Sequence, residues 1–167
     1  MRDARILTVL TSLRRQEVVE FFHPLIATAV YRSIPPGVRV AMHGMAAQAL
    51  VDDGFGAAAA ARHLLEMHPE GDPWVVQQLR QAARDSFSAG APDAARRYLA
   101  RALREPPDAE YRAEVLFELG SANLLHDPAT TINQLRAALE EPKADQELRE
   151  AITYRLAQAM AHTGQLA

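Results

Sequence analysis

The 167-residue chain contains no cysteine and a single tryptophan. Without thiols it has neither a disulfide framework nor a thiolate-ligated metal, an absence compatible with a reducing compartment. Aromatic residues make up 6% of the chain and β-branched residues are sparse, while Ala and Leu dominate. That balance disfavours sheet and favours helix. No apolar run approaches the ~20 residues needed to cross a bilayer, and the alanine tract at 57–61 is bounded by Gly56 and Arg62. The first thirty residues lack the pattern of a signal peptide. No GxxxxGKS/T or GxGxxG loop occurs, and Ser, His and Asp occur without a nucleophile elbow, so the sequence nominates no catalytic set. A non-enzymatic, cytoplasmic chain with no membrane contact is the expectation.

What is present suits a folded domain. Apolar residues reach 49% and charged residues 23%, enough apolar material to offset the entropy of ordering the chain. The formal net charge is −3; residues 1–34 carry five Arg against three Asp/Glu, so the remainder holds −5. That distribution offers no broad basic surface for nucleic acid.

Residues 3–14, DARILTVLTSLR, place Ile6, Leu7, Leu10 and Leu13 at helical spacing behind Asp3, and predict an opening helix. EVVEFF, residues 17–22, concentrates β-branched and aromatic residues and reads as a single strand that needs a partner, inside this chain or outside it. Pro24 suits a first helical turn, and Leu25, Ile26, Ala29, Val30 and Ile34 follow one face until Pro35-Pro36 stops it. From there helices are predicted over 37–52, 57–67, 73–89, 92–104, 109–126, 128–140 and 146–162. Gly54 and Gly90 suit positive φ after helices, and Asp72-Pro73 and Asp127-Pro128 suit a cap followed by a first-turn proline.

An internal repeat runs through these helices. Leu99, Ala102, Leu103 and Pro106 recur as Leu135, Ala138, Leu139 and Pro142, every offset being 36. Ala46, Ala47, Gly54, Ala58 and Ala59 map by the same step onto Ala82, Ala83, Gly90, Ala94 and Ala95. Small residues let paired helices approach while Leu fills the space between pairs, which predicts three to four stacked pairs. An alanine-rich bundle is the simpler reading of the same periodicity. Leu119-Gly120, Ala138-Leu139 and Pro142 resemble the tetratricopeptide repeat, although Asn123 stands where that repeat commonly has an aromatic residue. The fold class expected is all-α, a tetratricopeptide-like α-α superhelix over 36–167 behind a small N-terminal segment, 1–35.

Candidate sites are few. His63 and His68 lie five apart, about 140° around a helix, and do not share a face for a metal. His43, His126 and His162 lack a nearby ligand pattern, and Asp52-Asp53 and Glu140-Glu141 sit near helix ends as solvated or turn charge. Arg96, Arg97, Arg101 and Arg104 form a basic stripe on an outer helix face, and Trp74 is placed to pack at a seam between repeats.

FFHPLIATAVYRSIPPGVRVAMHGMAAQAL (residues 21–50), followed by GDPWVVQQLRQAA and GAPDAARRYLARALREPP, resembles LuxR-type large ATP-binding transcriptional regulators. These are signal-transduction NTPases with an ATPase, a winged helix, a tetratricopeptide-like region and a DNA-binding helix-turn-helix. The resemblance implies a winged-helix remnant at 1–35 and a helical sensor or oligomerisation region thereafter. ATP or ADP would bind in a domain this chain lacks, and the partners would be its own ATPase and DNA-binding domains, another protein, or a small-molecule or peptide effector. His23-Pro24-Leu25 is similar to the family's His-Asp-Leu triplet, whose histidine reaches the phosphates of ADP. His23 is thus a candidate nucleotide-state sensor, its other reading being a local backbone cap beside inward-packed Phe21 and Phe22. A standalone tetratricopeptide-like adaptor is the alternative function.

Overall fold

The computed structural model describes residues 7–11, 17–105 and 109–164, with 7–11, 17–20 and 109–110 described by their backbone alone. Strands β1 (Leu7–Thr11) and β2 (Glu17–Phe21) precede eight helices. These are α1 (Pro24–Ser33), α2 (Pro36–Asp52), α3 (Ala57–Leu64), α4 (Pro73–Ser88), α5 (Pro92–Arg104), α6 (Ala109–Asn123), α7 (Pro128–Glu140) and α8 (Gln146–His162). Contacts divide the chain into two units, Met1–Met42 and His43–Ala167, the division falling inside α2.

In the first unit the expected opening helix is replaced by a β-hairpin. β1 pairs antiparallel with β2, Leu7 opposite Phe21, Val9 opposite Val19 and Thr11 opposite Glu17. The reason lies in Thr8, Val9 and Thr11, which favour extended backbone and outweigh the helical spacing of Leu7 and Leu10 once a partner strand satisfies their backbone groups. The partner of β2 is therefore within this chain; Asp3, Ile6 and Leu13 lie outside the described residues. α1 follows directly, with Pro24 at its start and Ile34 ending it in extended backbone, as the following proline requires. Arg39 donates to the Tyr31 carbonyl at 3.4 Å and places its guanidinium 5.0 Å from the Tyr31 ring centre.

The second unit is an α-α array of consecutively packed helices, α3 on α4, α4 on α5, and so on to α8. Its core is built from small residues and leucines: Ala47, Ala60, Ala61, Leu64, Leu79, Ala82 and Leu99 in one cluster, with Leu135, Ala138 and Ile152 in a second. The 36-residue step is a structural repeat. Leu99 and Leu135 are buried, as are Ala102 and Ala138, while Leu103 and Leu139 are both half-buried. Pro106, expected at the exit of α5, lies outside the described residues.

Turn chemistry follows the sequence closely. The Asp72 carboxylate accepts from the Trp74 N–H at 2.8 Å, and Asp127 accepts from the Thr130 N–H at 3.0 Å, each ahead of a proline. Gly90 takes φ +75° after α4, a conformation that costs a side-chain-bearing residue about 1–2 kcal/mol. Two helices end earlier than periodicity implies. α3 stops at Leu64 because a tight turn returns the N–H of Glu66 to His63 and of Met67 to Leu64. α6 stops at Asn123, whose carbonyl takes the N–H of both His126 and Asp127, so that Asp127 can leave the helix and cap α7.

Gly120 explains the Leu-Gly pair. A Cβ there would come within 3.0 Å of Leu135 Cγ and Cδ2, and the Thr131 hydroxyl donates to the Gly120 carbonyl at 3.1 Å. The Leu135 and Thr131 side chains of α7 thus pack directly on the α6 backbone at Gly120, and a larger residue there must displace them. Gly120→Val is expected to cost about 1–3 kcal/mol in urea unfolding. Gly37→Ala, where nothing lies within 4 Å of the new Cβ, is expected to change stability by less than about 0.5 kcal/mol; equal losses for the two would contradict the contact.

Candidate functional site

His23 occupies the junction between β2 and α1 with extended backbone. Its Nδ1 accepts the Leu25 N–H at 3.2 Å, and with that nitrogen accepting, the ring proton sits on Nε2. The imidazole is therefore the N-cap of α1. The inward packing expected beside it does not hold for Phe22, which is 71% exposed; Leu25 is 72% exposed. α1 buries none of its residues, although Leu25, Val30 and Tyr31 give it an apolar content that a helix ordinarily uses for packing.

In the second unit α4 and α6 are joined by a charged lattice. Arg80 donates to Glu118 from Nε at 3.1 Å and from a terminal nitrogen at 3.0 Å, and also reaches Glu114. Arg84 adds bonds to the same Glu118 oxygen at 3.1 and 2.7 Å. Burial alone would lower the Arg80 pKa, but the hydrogen bonds and charges of Glu118 and Glu114 raise it above the ordinary value. The Arg80 guanidinium also lies 5.9 Å from the Tyr111 ring centre. Trp74, Arg80, Arg84 and Tyr111 line a cleft of about 370 Å³. Trp74 is half-buried against the core, so it both packs at the seam and faces this cleft.

The second cluster is internal. Glu105 is 1% exposed, and one of its carboxylate oxygens accepts the N–H groups of Glu70, Gly71 and Asp72 at 2.9, 2.9 and 3.1 Å. Its other oxygen takes Arg101 at 2.5 Å, and Arg101 also donates to the Met67 carbonyl at 3.1 Å. Burial pushes the Glu105 carboxyl up, but the backbone N–H groups and the Arg101 guanidinium outweigh it and hold the group below its ordinary value. The supposed outer stripe is thereby divided. Arg101 is buried, Arg96 pairs with Asp93, and Arg97 and Arg104 are exposed; one turn of helix separates core from surface, which charge spacing alone does not report.

Of the histidines, His63 meets His43, Nδ1 to Nδ1 at 2.9 Å, and His68 is exposed. His162 Nδ1 lies 2.8 Å from the Gln158 carbonyl. Among the described residues no group of three or more His, Cys, Asp or Glu is placed to hold a metal ion. Glu141 accepts from Arg112 at 2.8 Å, so its carboxylate ties α6 to the end of α7. Asn123, standing where an aromatic residue was expected, is buried and donates to Gln134 at 2.9 Å.

The lattice and the clamp were missed by reading each helix separately. One signal was present: Arg80 and Arg84, then Glu114 and Glu118, are two i,i+4 pairs of opposite sign separated by one constant step. No comparable pattern marks Glu105, whose partners are backbone groups.

The His43–His63 contact needs one nitrogen to accept, so both rings cannot be charged without breaking it. Burial first, then His43 and Arg62, lower the His63 pKa. A depressed folded-state value means that the unfolded chain binds the proton better. The stabilisation is therefore complete above about pH 6.5 and is lost as pH falls through the folded value. The melting temperature is expected to drop between pH 7.5 and 5.5, and His63→Asn should flatten that drop; an unchanged slope would contradict the coupling.

No protein-family model, curated protein or solved structure matches the chain.

Proposed function

We propose that the chain is the non-catalytic interaction and sensor region of a LuxR-type ATP-dependent transcriptional regulator. In this reading the hairpin and α1 are a winged-helix remnant that meets the ATPase domain, and the helical array couples that domain to effector binding or oligomerisation. The observation that carries it is the uncovered α1: a capped, ordered helix with no buried residue and with Leu25 and Phe22 exposed is built to be covered by another domain. The family's architecture supplies that domain on the N-terminal side. Transcription regulators of this kind work in the cytoplasm, and among the described residues no helix is long and apolar enough to cross a membrane.

ATP or ADP would be gripped by the ATPase domain, since no phosphate-binding loop occurs in this sequence. His23 suits the role of a single phosphate contact. Its Nδ1 is committed to the Leu25 N–H, which leaves Nε2–H to donate to a phosphate oxygen when nucleotide is present. Loss of that contact on exchange would alter how α1 is held, which is the chemistry of a state sensor.

The gene that encodes the intact protein supplies the first test. A phosphate-binding loop upstream and a helix-turn-helix downstream are expected; finding neither would overturn the regulator reading in favour of a standalone adaptor. In the intact protein, His23→Asp keeps a capping oxygen but removes the imidazole donor. It is expected to weaken ADP retention by about tenfold, whereas wild-type retention would reduce His23 to a cap.

A further inference from the structure

Three buried side-chain polar atoms among the described residues make no hydrogen bond: Arg101 Nε, Ser121 Oγ and Arg155 Nε. Arg101 is otherwise saturated by Glu105 and Met67. Ser121, on α6, and Arg155, on α8, share a different setting. Both line a cavity of about 560 Å³ and an adjoining one of about 200 Å³, and Phe87 and Ala122 line the two as well. The larger volume falls within the usual range for small-molecule sites, roughly 300–1,000 Å³.

The walls are largely apolar. Leu124 and Ala122 are buried, while Phe87 and Leu125 are exposed, so an occupant with an apolar body would remove them from water. Against those walls stand Arg155 and Ser121, whose Nε–H and hydroxyl are two of the three buried polar atoms that lack a partner among the described residues. Arg155 is only partly engaged, one terminal nitrogen reaching Gln158 at 3.2 Å. Arg84 and Arg96 also line these spaces, against Asp93 and Glu118. Glu118 is already neutralised by Arg80 and Arg84, and Asp93 by Arg96. Among the described residues that line these spaces, Arg155 is left as the arginine without an acidic partner.

We infer that this cavity, walled by α4, α5, α6 and α8, binds a small amphipathic monocarboxylate, its carboxylate on Arg155 and Ser121 and its apolar chain or ring against Phe87, Leu124 and Leu125. An amine would set a cation against Arg155, and a neutral alcohol would leave the guanidinium nitrogen without a charged acceptor. A dianion such as phosphate would meet an apolar wall that cannot solvate it. As the effector site of the helical array, the inference rests on the sensor reading above and names its ligand class.

The test titrates the full chain with sodium octanoate, and with 1-octanol as a tail lacking the acid, by calorimetry and thermal melting. Octanoate is expected to bind saturably and raise the melting temperature. Octanol should bind at least about tenfold more weakly, Arg155→Met should weaken octanoate by about tenfold, and Ser121→Ala by about threefold. Ser121→Ala carries the test if Arg155→Met does not fold. No saturable octanoate binding, equal affinity for octanol, or unchanged affinity in the variant that folds would each overturn the site. These outcomes are independent of the flanking domains, so absence of an upstream phosphate-binding loop would remove the regulator reading while leaving the binding result to stand or fall alone.

Discussion

The buried carboxylate of Glu105 is the contact on which the arrangement of the helices depends. It closes α5 against the loop between α3 and α4, holding three successive backbone N–H groups that no helix or strand could satisfy. Arg101 neutralises it and extends the link to the Met67 carbonyl. Replacing such a pair by matched apolar groups can be neutral, but removing one member strands a charge, and here three donors with it. Its role is specificity: the carboxylate accepts those donors in one register only. Gly71, at φ +80°, lets the loop turn its N–H groups inward to that single oxygen.

With the helices held in this way, the array presents two different surfaces. Between α4 and α6 the arginines and glutamates neutralise one another, and Trp74 and Tyr111 add aromatic surface to the adjoining cleft. Where α4, α5, α6 and α8 meet, the walls turn apolar and, among the described residues, the Arg155 Nε–H and the Ser121 hydroxyl go unmet. A helical array distributes such surfaces over several repeats, which suits a region that reads a ligand or partner and reports it through neighbouring domains. The first unit is different in kind, a hairpin followed by a helix, α1, that buries none of its residues.

The array was largely legible in the sequence because its signals are local. Asp72, Asp127 and Gly90 each specify a helix end through their own bonds or backbone geometry, and the 36-residue step reports equivalent core positions such as Leu99 and Leu135. The hairpin was not legible in the same way. Leu7 and Leu10 fit a helical face, and only pairing with Val18 and Val19 decides for strand, a non-local term that spacing cannot contain. The same limit applies to the sites. Arg101 reads like Arg97 until the loop at 70–72 is placed beside it, and Ser121 and Arg155 become neighbours of one cavity only when α6 and α8 pack. His23 stood out through the resemblance of His23-Pro24-Leu25 to a family triplet; the bond it makes is a local cap of α1, and its reach toward a nucleotide is a proposal.

The central physical claim is that one buried ion pair locks α5 to the loop before α4. A double-mutant cycle on Arg101→Met and Glu105→Gln, measured by urea unfolding, tests it most directly. A coupling energy above about 1.5 kcal/mol between the two positions, with the single variants destabilised by about 3 kcal/mol or more, is the result the account requires. Additive effects within about 0.5 kcal/mol would contradict it.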